Sequence, residues 1–210
     1  MKKFPEVKLV ALDLDGVLID SYPLMKTSWE KSMDNFSLNI PFSEFDKNIG
    51  LSIEMILKKV IKNKEKYDIK EIAKYYKKTA IRSINKINTF SEIEFFLDYL
   101  SSEYKLAILT SKTSERVYKI IEKHFNRINF ESILCSDHLK ESKPNPEGLN
   151  KLLKDHSLDS GELAYIGDTI FDQSAAENAN CIFGYASWGY GDVDIYDFRI
   201  DTPKEIKKFF

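Results

Sequence analysis

Asp13 and Asp15 stand two positions apart at the end of the apolar run Leu9-Val10-Ala11-Leu12, and Gly16 follows them. Residues i and i+2 of a strand point to the same side, so this spacing can bring two carboxylates into one small volume. Two like charges that close need a cation between them, or one must hold a proton. Either arrangement is a catalytic device. Gly16 lets the backbone bend sharply and approach a ligand closely. Three more groups follow: Thr110-Ser111-Lys112, Lys143-Pro144 and Gly167-Asp168-Thr169-Ile170-Phe171-Asp172. Acids, a hydroxyl pair and a lysine suit a phosphate with a hard cation. Mg²⁺ prefers oxygen ligands, and Asp13 and Asp168 can supply carboxylates. Thr110, Ser111 and Lys143 can hold phosphate oxygens by hydrogen bonds and charge.

The elements that must position these groups show in the periodicity. A first strand is predicted over Lys8–Leu14. From about Ser21 to Asn88 the pattern is almost wholly helical, with Trp29, Met33 and Phe36 at helical spacing, then Ile53, Ile56, Leu57, Val60 and Ile61, then Ile69, Ile72, Tyr75, Tyr76, Thr79 and Ala80. After Thr89 strands alternate with helices. Strands are expected at Lys105–Thr110, Ser132–Cys135, Leu163–Gly167, Cys181–Ala186 and Phe198–Ile200. Helices are expected at Ser91–Leu100, Thr113–Phe125, Pro146–His156, Ile170–Asn180 and Pro203–Phe210. Ser91 with Glu94 reads as a capping box. Alternating β and α elements imply an α/β fold, a Rossmann-like parallel sheet wrapped by helices. The helical block breaks that alternation and reads as an inserted α-helical cap domain, residues 20–88, on a catalytic core formed by 1–19 and 89–210. Ligands of such sheets bind at the carboxyl ends of the strands, where all four groups fall.

Composition narrows the partners. The chain has 210 residues, 30% of them charged, and a formal net charge of −2, so neither nucleic acid nor a membrane surface is an expected partner. Lys58–Lys66 and Lys74–Lys78 are basic but fall on helical patterns and read as solvated faces. No stretch approaches ~18 apolar residues, and the charged start Met1-Lys2-Lys3 has no apolar signal region behind it. Cys135 and Cys181 lie far apart in apolar stretches and read as buried thiols of a cytoplasmic protein. A monomer or weak homodimer is expected.

The four groups, in this order, resemble the motifs of the haloacid dehalogenase superfamily in its phosphatase branch. The resemblance covers about residues 7–190, and Ser187-Trp188-Gly189-Tyr190-Gly191 resembles the phosphoglycolate phosphatase subgroup. It implies a phosphoric monoester hydrolase acting on a small phosphorylated molecule, with Mg²⁺ as cofactor. It implies Asp13 as nucleophile and metal ligand, Asp168 as metal ligand, and Asp15 as general acid and base that also offers its backbone carbonyl to the metal. Gly16, Thr110, Ser111 and Lys143 would hold the phosphoryl group. Asp172 would support the metal shell through water or through Lys143.

An acid at position 15 favours phosphate-ester chemistry over dehalogenation, since an alkoxide leaving group needs a proton. The alternative is a phosphomutase of the β-phosphoglucomutase type, but Ile53 stands where those enzymes carry a cap arginine. A non-enzymatic binding protein on the same fold is the third reading, opposed by the competent residue at every motif position. Lys112 is expected at the surface. His124, His138 and His156 are expected to be structural or exposed, and the run from Trp188 to Gly191 reads equally as a plain turn.

Overall fold

The computed structural model describes residues 3–210; Met1 and Lys2 of the charged start lie outside the described residues. The chain begins with β1 (Leu9–Leu12) and β2 (Ile19–Asp20), followed by helices α1 (Tyr22–Asn35), α2 (Phe42–Asp46), α3 (Ile53–Val60) and α4 (Ile69–Arg82). It continues through β3 (Asn88–Thr89), α5 (Ile93–Glu103), β4 (Lys105–Leu109), α6 (Ser114–His124), β5 (Phe130–Leu134) and α7 (Glu147–His156). It closes with β6 (Leu163–Gly167), α8 (Ile170–Asn178), β7 (Ile182–Ala186) and β8 (Phe198–Ile200).

Six strands form one sheet in the order β5-β4-β1-β6-β7-β8, and every neighbouring pair is parallel. This is the α/β fold expected from the alternation. β1 lies inside the sheet between β4 and β6, so Asp13 and Asp15 emerge beside the ends of both. The strands carry helices on both faces, and their side chains divide accordingly. Val10, Leu12, Leu106, Ile108, Ala164 and Ile166 pack into one core. Their neighbours Leu9, Ala11, Ala107, Leu109, Leu163 and Tyr165 pack into the other.

The helical block has its own apolar core, built on Trp29, Phe45, Ile56, Leu57, Ile72 and Tyr76. It leaves and rejoins the sheet through β2 and β3, an antiparallel pair in which Ile19 faces Thr89 and Asp20 faces Asn88. Ser52 caps α3 by accepting from the Met55 N–H, and Asp68 caps α4 by accepting from the Lys70 and Glu71 N–H groups.

Two expectations are corrected. The helix expected from Ser91 begins at Ile93, and Ser91 and Glu94 form no capping box. Glu92 precedes it at φ 65° and pairs its carboxylate with Lys204 instead. The closing segment is a 3₁₀ turn over Pro203–Lys208 rather than an α-helix, with Ile206 and Phe210 buried against the sheet. Cys135 and Cys181 are buried and unpaired. No helix among the described residues is long and apolar enough to cross a membrane.

Candidate active site

The site is built at the carboxyl ends of β1, β4 and β6. Asp13 continues β1 by one residue, its N–H donating to the Ile166 carbonyl at 2.9 Å. That bond fixes its side chain in the crevice, 2% exposed. Lys143 Nζ lies 3.0 Å from Asp13 Oδ2, whereas Asp13 Oδ1 is buried with no hydrogen-bond partner. Burial pushes the Asp13 carboxyl up to about 7, against the pull of Lys143.

Gly16 turns the chain at φ +80°, and a Cβ there would sit 1.9 Å from Asp168 Oδ2. Both constraints require glycine. Asp15, on the same cavity wall as Asp13, takes different partners. Asp15 Oδ1 accepts from Lys112 Nζ and from the Ser21 hydroxyl. Burial alone would raise Asp15, but the charge and hydrogen bond of Lys112, with Ser21, hold it below the usual carboxylate range. The two acids thus rest in opposite environments.

Lys143 is held on three sides. It donates to Asp172 Oδ1 at 2.6 Å and to the Tyr165 hydroxyl at 3.0 Å, besides its contact with Asp13. Asp172 in turn accepts from the Tyr165 hydroxyl at 2.7 Å, the Thr169 N–H at 3.0 Å and the Thr169 hydroxyl at 2.6 Å. Burial works to raise Asp172, yet Lys143 and these donors hold it low. Thr169 and Asp172 also close a capping box at the start of α8.

Asp168 is fully buried. Its Oδ2 accepts from the Tyr190 N–H at 2.7 Å, and its Oδ1 has no partner. Burial, with Asp172 and Asp13 nearby, drives its carboxyl well above the ordinary range. Asp13, Asp168 and Asp172 bring carboxylate oxygens within 4.8 Å of one another. Both oxygens of Asp172 are occupied by donors, so the open ligands are Asp13 Oδ1 and Asp168 Oδ1. Two buried, unpartnered carboxylate oxygens in one acidic cluster fit a hard cation.

Thr110 is buried where β4 ends, its N–H donating to the Leu134 carbonyl at 3.0 Å. The Ser111 hydroxyl donates to the Gly50 carbonyl at 2.6 Å, which ties the helical block to the sheet. Gly50, at φ +106°, seats that loop against Thr169 and Phe171, where a Cβ would meet the Thr169 hydroxyl at 2.6 Å. Between the two parts lies a cavity of about 40 Å³, walled by Asp13, Asp15, Thr110, Lys112, Arg116 and Tyr76 among others.

Lys112 is not at the surface: it is 4% exposed, and burial lowers its ammonium to about 8 against the pull of Asp15. The carbonyl of Lys112 accepts from the Ser136 N–H at 2.9 Å, which turns the residue inward. Its position directly after a strand-end hydroxyl pair was the available signal. The run from Trp188 to Gly191 is more than a turn. Trp188 Nε1 donates to the Val17 carbonyl at 3.0 Å, and the Tyr190 hydroxyl accepts from the Ser21 N–H at 2.7 Å. A Cβ on Gly189 would lie 2.3 Å from that of Asp168. His124, His138 and His156 line none of the site; each meets a backbone or hydroxyl partner elsewhere.

The family model described as haloacid dehalogenase-like hydrolase matches residues 10–185, from β1 to β7. The chain belongs to this family. It is an enzyme, a phosphoric monoester hydrolase. The haloacid dehalogenase-like chain is 27% identical to the phosphoglycolate phosphatase of Aliivibrio fischeri, covering 98% of this chain and 96% of that one. It is 28% identical to the phosphoglycolate phosphatase of Aquifex aeolicus, covering 96% of each. A haloacid dehalogenase-like family hydrolase from Streptococcus pneumoniae has the same fold, with a TM-score of 0.83 at 23% identity over 97% of this chain and 98% of that one. CbbY from Rhodobacter sphaeroides, solved with phosphate, superposes with a TM-score of 0.82 at 15% identity over 95% of this chain and 96% of that one.

Proposed function

We propose that this chain is a Mg²⁺-dependent phosphatase of small phosphate monoesters, phosphoglycolate or a similarly short ester, working through an aspartyl-phosphate on Asp13. The observation that carries the reading is the pair of acids in opposite settings: Asp13 with a free oxygen beside Lys143, and Asp15 turned to Lys112. Asp13 attacks phosphorus, and the P–O bond to the substrate's alcohol breaks. Asp15 gives that alkoxide its proton, then takes one from the water that hydrolyses the acyl phosphate. Lys143, Thr110 and backbone N–H groups near Asp15 hold the phosphoryl oxygens. Asp172 and Tyr165 keep Lys143 aimed at Asp13. Asp13, Asp168 and the Asp15 carbonyl would hold the ion, which offsets the charge of carboxylate against phosphate.

The helical block serves as a cap that closes over residues 89–210 and 1–19. The Ser111–Gly50 bond and the small cavity support a small substrate rather than a macromolecule. Ser111 latches the cap, so phosphate oxygens fall to Thr110 and Lys143. Ile53 offers the cavity an apolar wall where a mutase would need a cation. The two buried free thiols support a cytoplasmic setting. The test is phosphate release from a panel of monoesters, with Mg²⁺ and with a chelator, beside Asp13→Asn. Metal-dependent release lost in the variant supports the reading. Interconversion of sugar phosphates without net release favours the mutase instead.

A further inference from the structure

The phosphatase reading leaves one charged group in the site unused. Arg116 lies in the first turn of α6, yet it is only 6% exposed. Its Nε has no hydrogen-bond partner, and its guanidinium forms no ion pair among the described residues. Each other cation walling the cavity is committed: Lys112 to Asp15 and Lys77 to Glu54. The charge of Arg116 reaches Asp15 without closing an ion pair, and a buried guanidinium with no hydrogen-bonded anion is costly. It is kept where a ligand brings the missing charge. Arg116 shares the cavity with Asp15 and Thr110, so that charge must belong to the same molecule as the phosphate.

The size and charge of the space decide what the group is. A water needs ~10–15 Å³, and the cavity holds about 40 Å³. That is about three waters' worth of space, so the molecule it takes is short. One uncommitted cation balances one negative charge, so a monoanion fits and a second phosphate, with its two charges, does not. The guanidinium fork matches the two oxygens of a carboxylate in one plane. Resting on the phosphatase reading, we propose that Arg116 is the specificity residue, binding a carboxylate one or two carbons from the ester oxygen of the substrate. Tyr76 of the cap closes the wall opposite, so the carboxylate is gripped only when the cap is down.

The experiment compares two esters of equal length, 2-phosphoglycolate and 2-hydroxyethyl phosphate, as the ratio of their kcat/KM values in wild type, Arg116→Gln and Arg116→Lys. The wild-type ratio should favour the carboxylate. Arg116→Gln should lower that ratio about 10- to 100-fold, the range for a hydrogen bond to a charged group, and Arg116→Lys should recover part of it. An equal loss on both esters, or an unchanged ratio, overturns the proposal. Circular dichroism and thermal melts of both variants check that each is folded. A binding arm is independent of turnover: 2-phosphoglycolate is titrated calorimetrically into Asp13→Asn and into Asp13→Asn with Arg116→Gln. Equal affinities there overturn the proposal. If wild type releases no phosphate from any ester, the phosphatase reading fails, while the binding arm still decides whether Arg116 takes a carboxylate.

Discussion

Asp172→Asn isolates the anchor of the site from its reactive groups. Asp172 accepts four hydrogen bonds, two at each oxygen, from Lys143 and Tyr165 on one side and from the Thr169 N–H and hydroxyl on the other. Asparagine keeps one acceptor oxygen. The least costly orientation leaves that oxygen toward Lys143 and Tyr165 and turns the amide NH₂ against Thr169. The Thr169 hydroxyl can rotate to accept, but the Thr169 N–H loses its partner. An unsatisfied buried donor costs ~1–3 kcal/mol. Lys143 also loses one of two charged partners. Removing the only partner of a buried ion costs ~3–5 kcal/mol, and Lys143 retains Asp13, so its share is smaller. The sum is about 2–4 kcal/mol, within the ~5–15 kcal/mol of a typical domain, and the variant stays folded at 25 °C. Urea unfolding without metal at pH 7.5 measures the loss. Turnover should fall, because Lys143 is no longer held in place. Mg²⁺ affinity should weaken ~10–100-fold, as for a supporting group. A stability change under ~1 kcal/mol with kcat intact would refute the anchoring argument. Complete loss of metal binding, equal to that of Asp168→Asn, would make Asp172 a direct ligand.

Three other outcomes follow from the same geometry. Asp13→Asn should cost a thousandfold or more in kcat, on the order seen for removed nucleophiles, with an unchanged circular dichroism spectrum; retained turnover removes Asp13 from the chemistry. Without metal the folded state holds more protons than the unfolded one up to about pH 7, since burial raises Asp13 to about 7 and Asp168 well above its usual value. Stability therefore falls as pH rises from 5.5 to 7.5. Asp15 and Asp172, both held low, contribute a constant amount across that window, and His124, lowered by burial, opposes the trend. Mg²⁺ should raise Tm more at pH 7.5 than at 5.5, and equal shifts at both would refute the buried-acid site. Lys112→Met removes the charge that holds Asp15 down, so the limb of the pH–rate profile set by Asp15 should move to higher pH for an alkyl phosphate; an unmoved limb refutes their coupling.

What the sequence discloses depends on how local the determinant is. Leu163–Gly167 is read to the residue because a buried apolar run specifies a strand by itself, and Phe198–Ile200 because Phe198 and Ile200 turn inward and Arg199 outward. Asp13, Asp15 and Asp168 are legible because they follow such runs directly. Lys112 and Arg116 are not. Whether a lysine after a strand faces water or the crevice is set by one backbone bond to Ser136, a residue 24 positions later. Arg116 shares the inward face of α6 with Val117 and Ile120, and periodicity alone places no arginine inside. The failed cap at Ser91 has a distant cause as well, since Glu92 pairs with Lys204 from the end of the chain. Tyr190 holds Asp168 and reaches Ser21, 169 positions earlier than itself, a link with no local signature.

The alternation rule that brings Asp13 and Asp15 to notice holds in outcome, since both carboxylates wall one cavity, but each takes a different cation. β1 ends at Leu12, before either acid. Gly16 bends the chain, and the two carboxylates each meet a lysine of their own. Had both met one lysine, a single cation would serve two charges, and their titrations would be locked together. With separate partners, the proposed mechanism would leave Asp13 open to a metal ion while Asp15 exchanges a proton with the leaving group. Lys143 is clamped by Asp172 and Tyr165 and cannot follow the substrate. Among the described residues Lys112 forms an ion pair with Asp15 alone, so an arriving phosphate dianion would compete for its charge. In the proposed mechanism, losing that charge would raise the affinity of Asp15 for a proton at the moment the leaving group needs one, and the substrate would arm the acid that serves it.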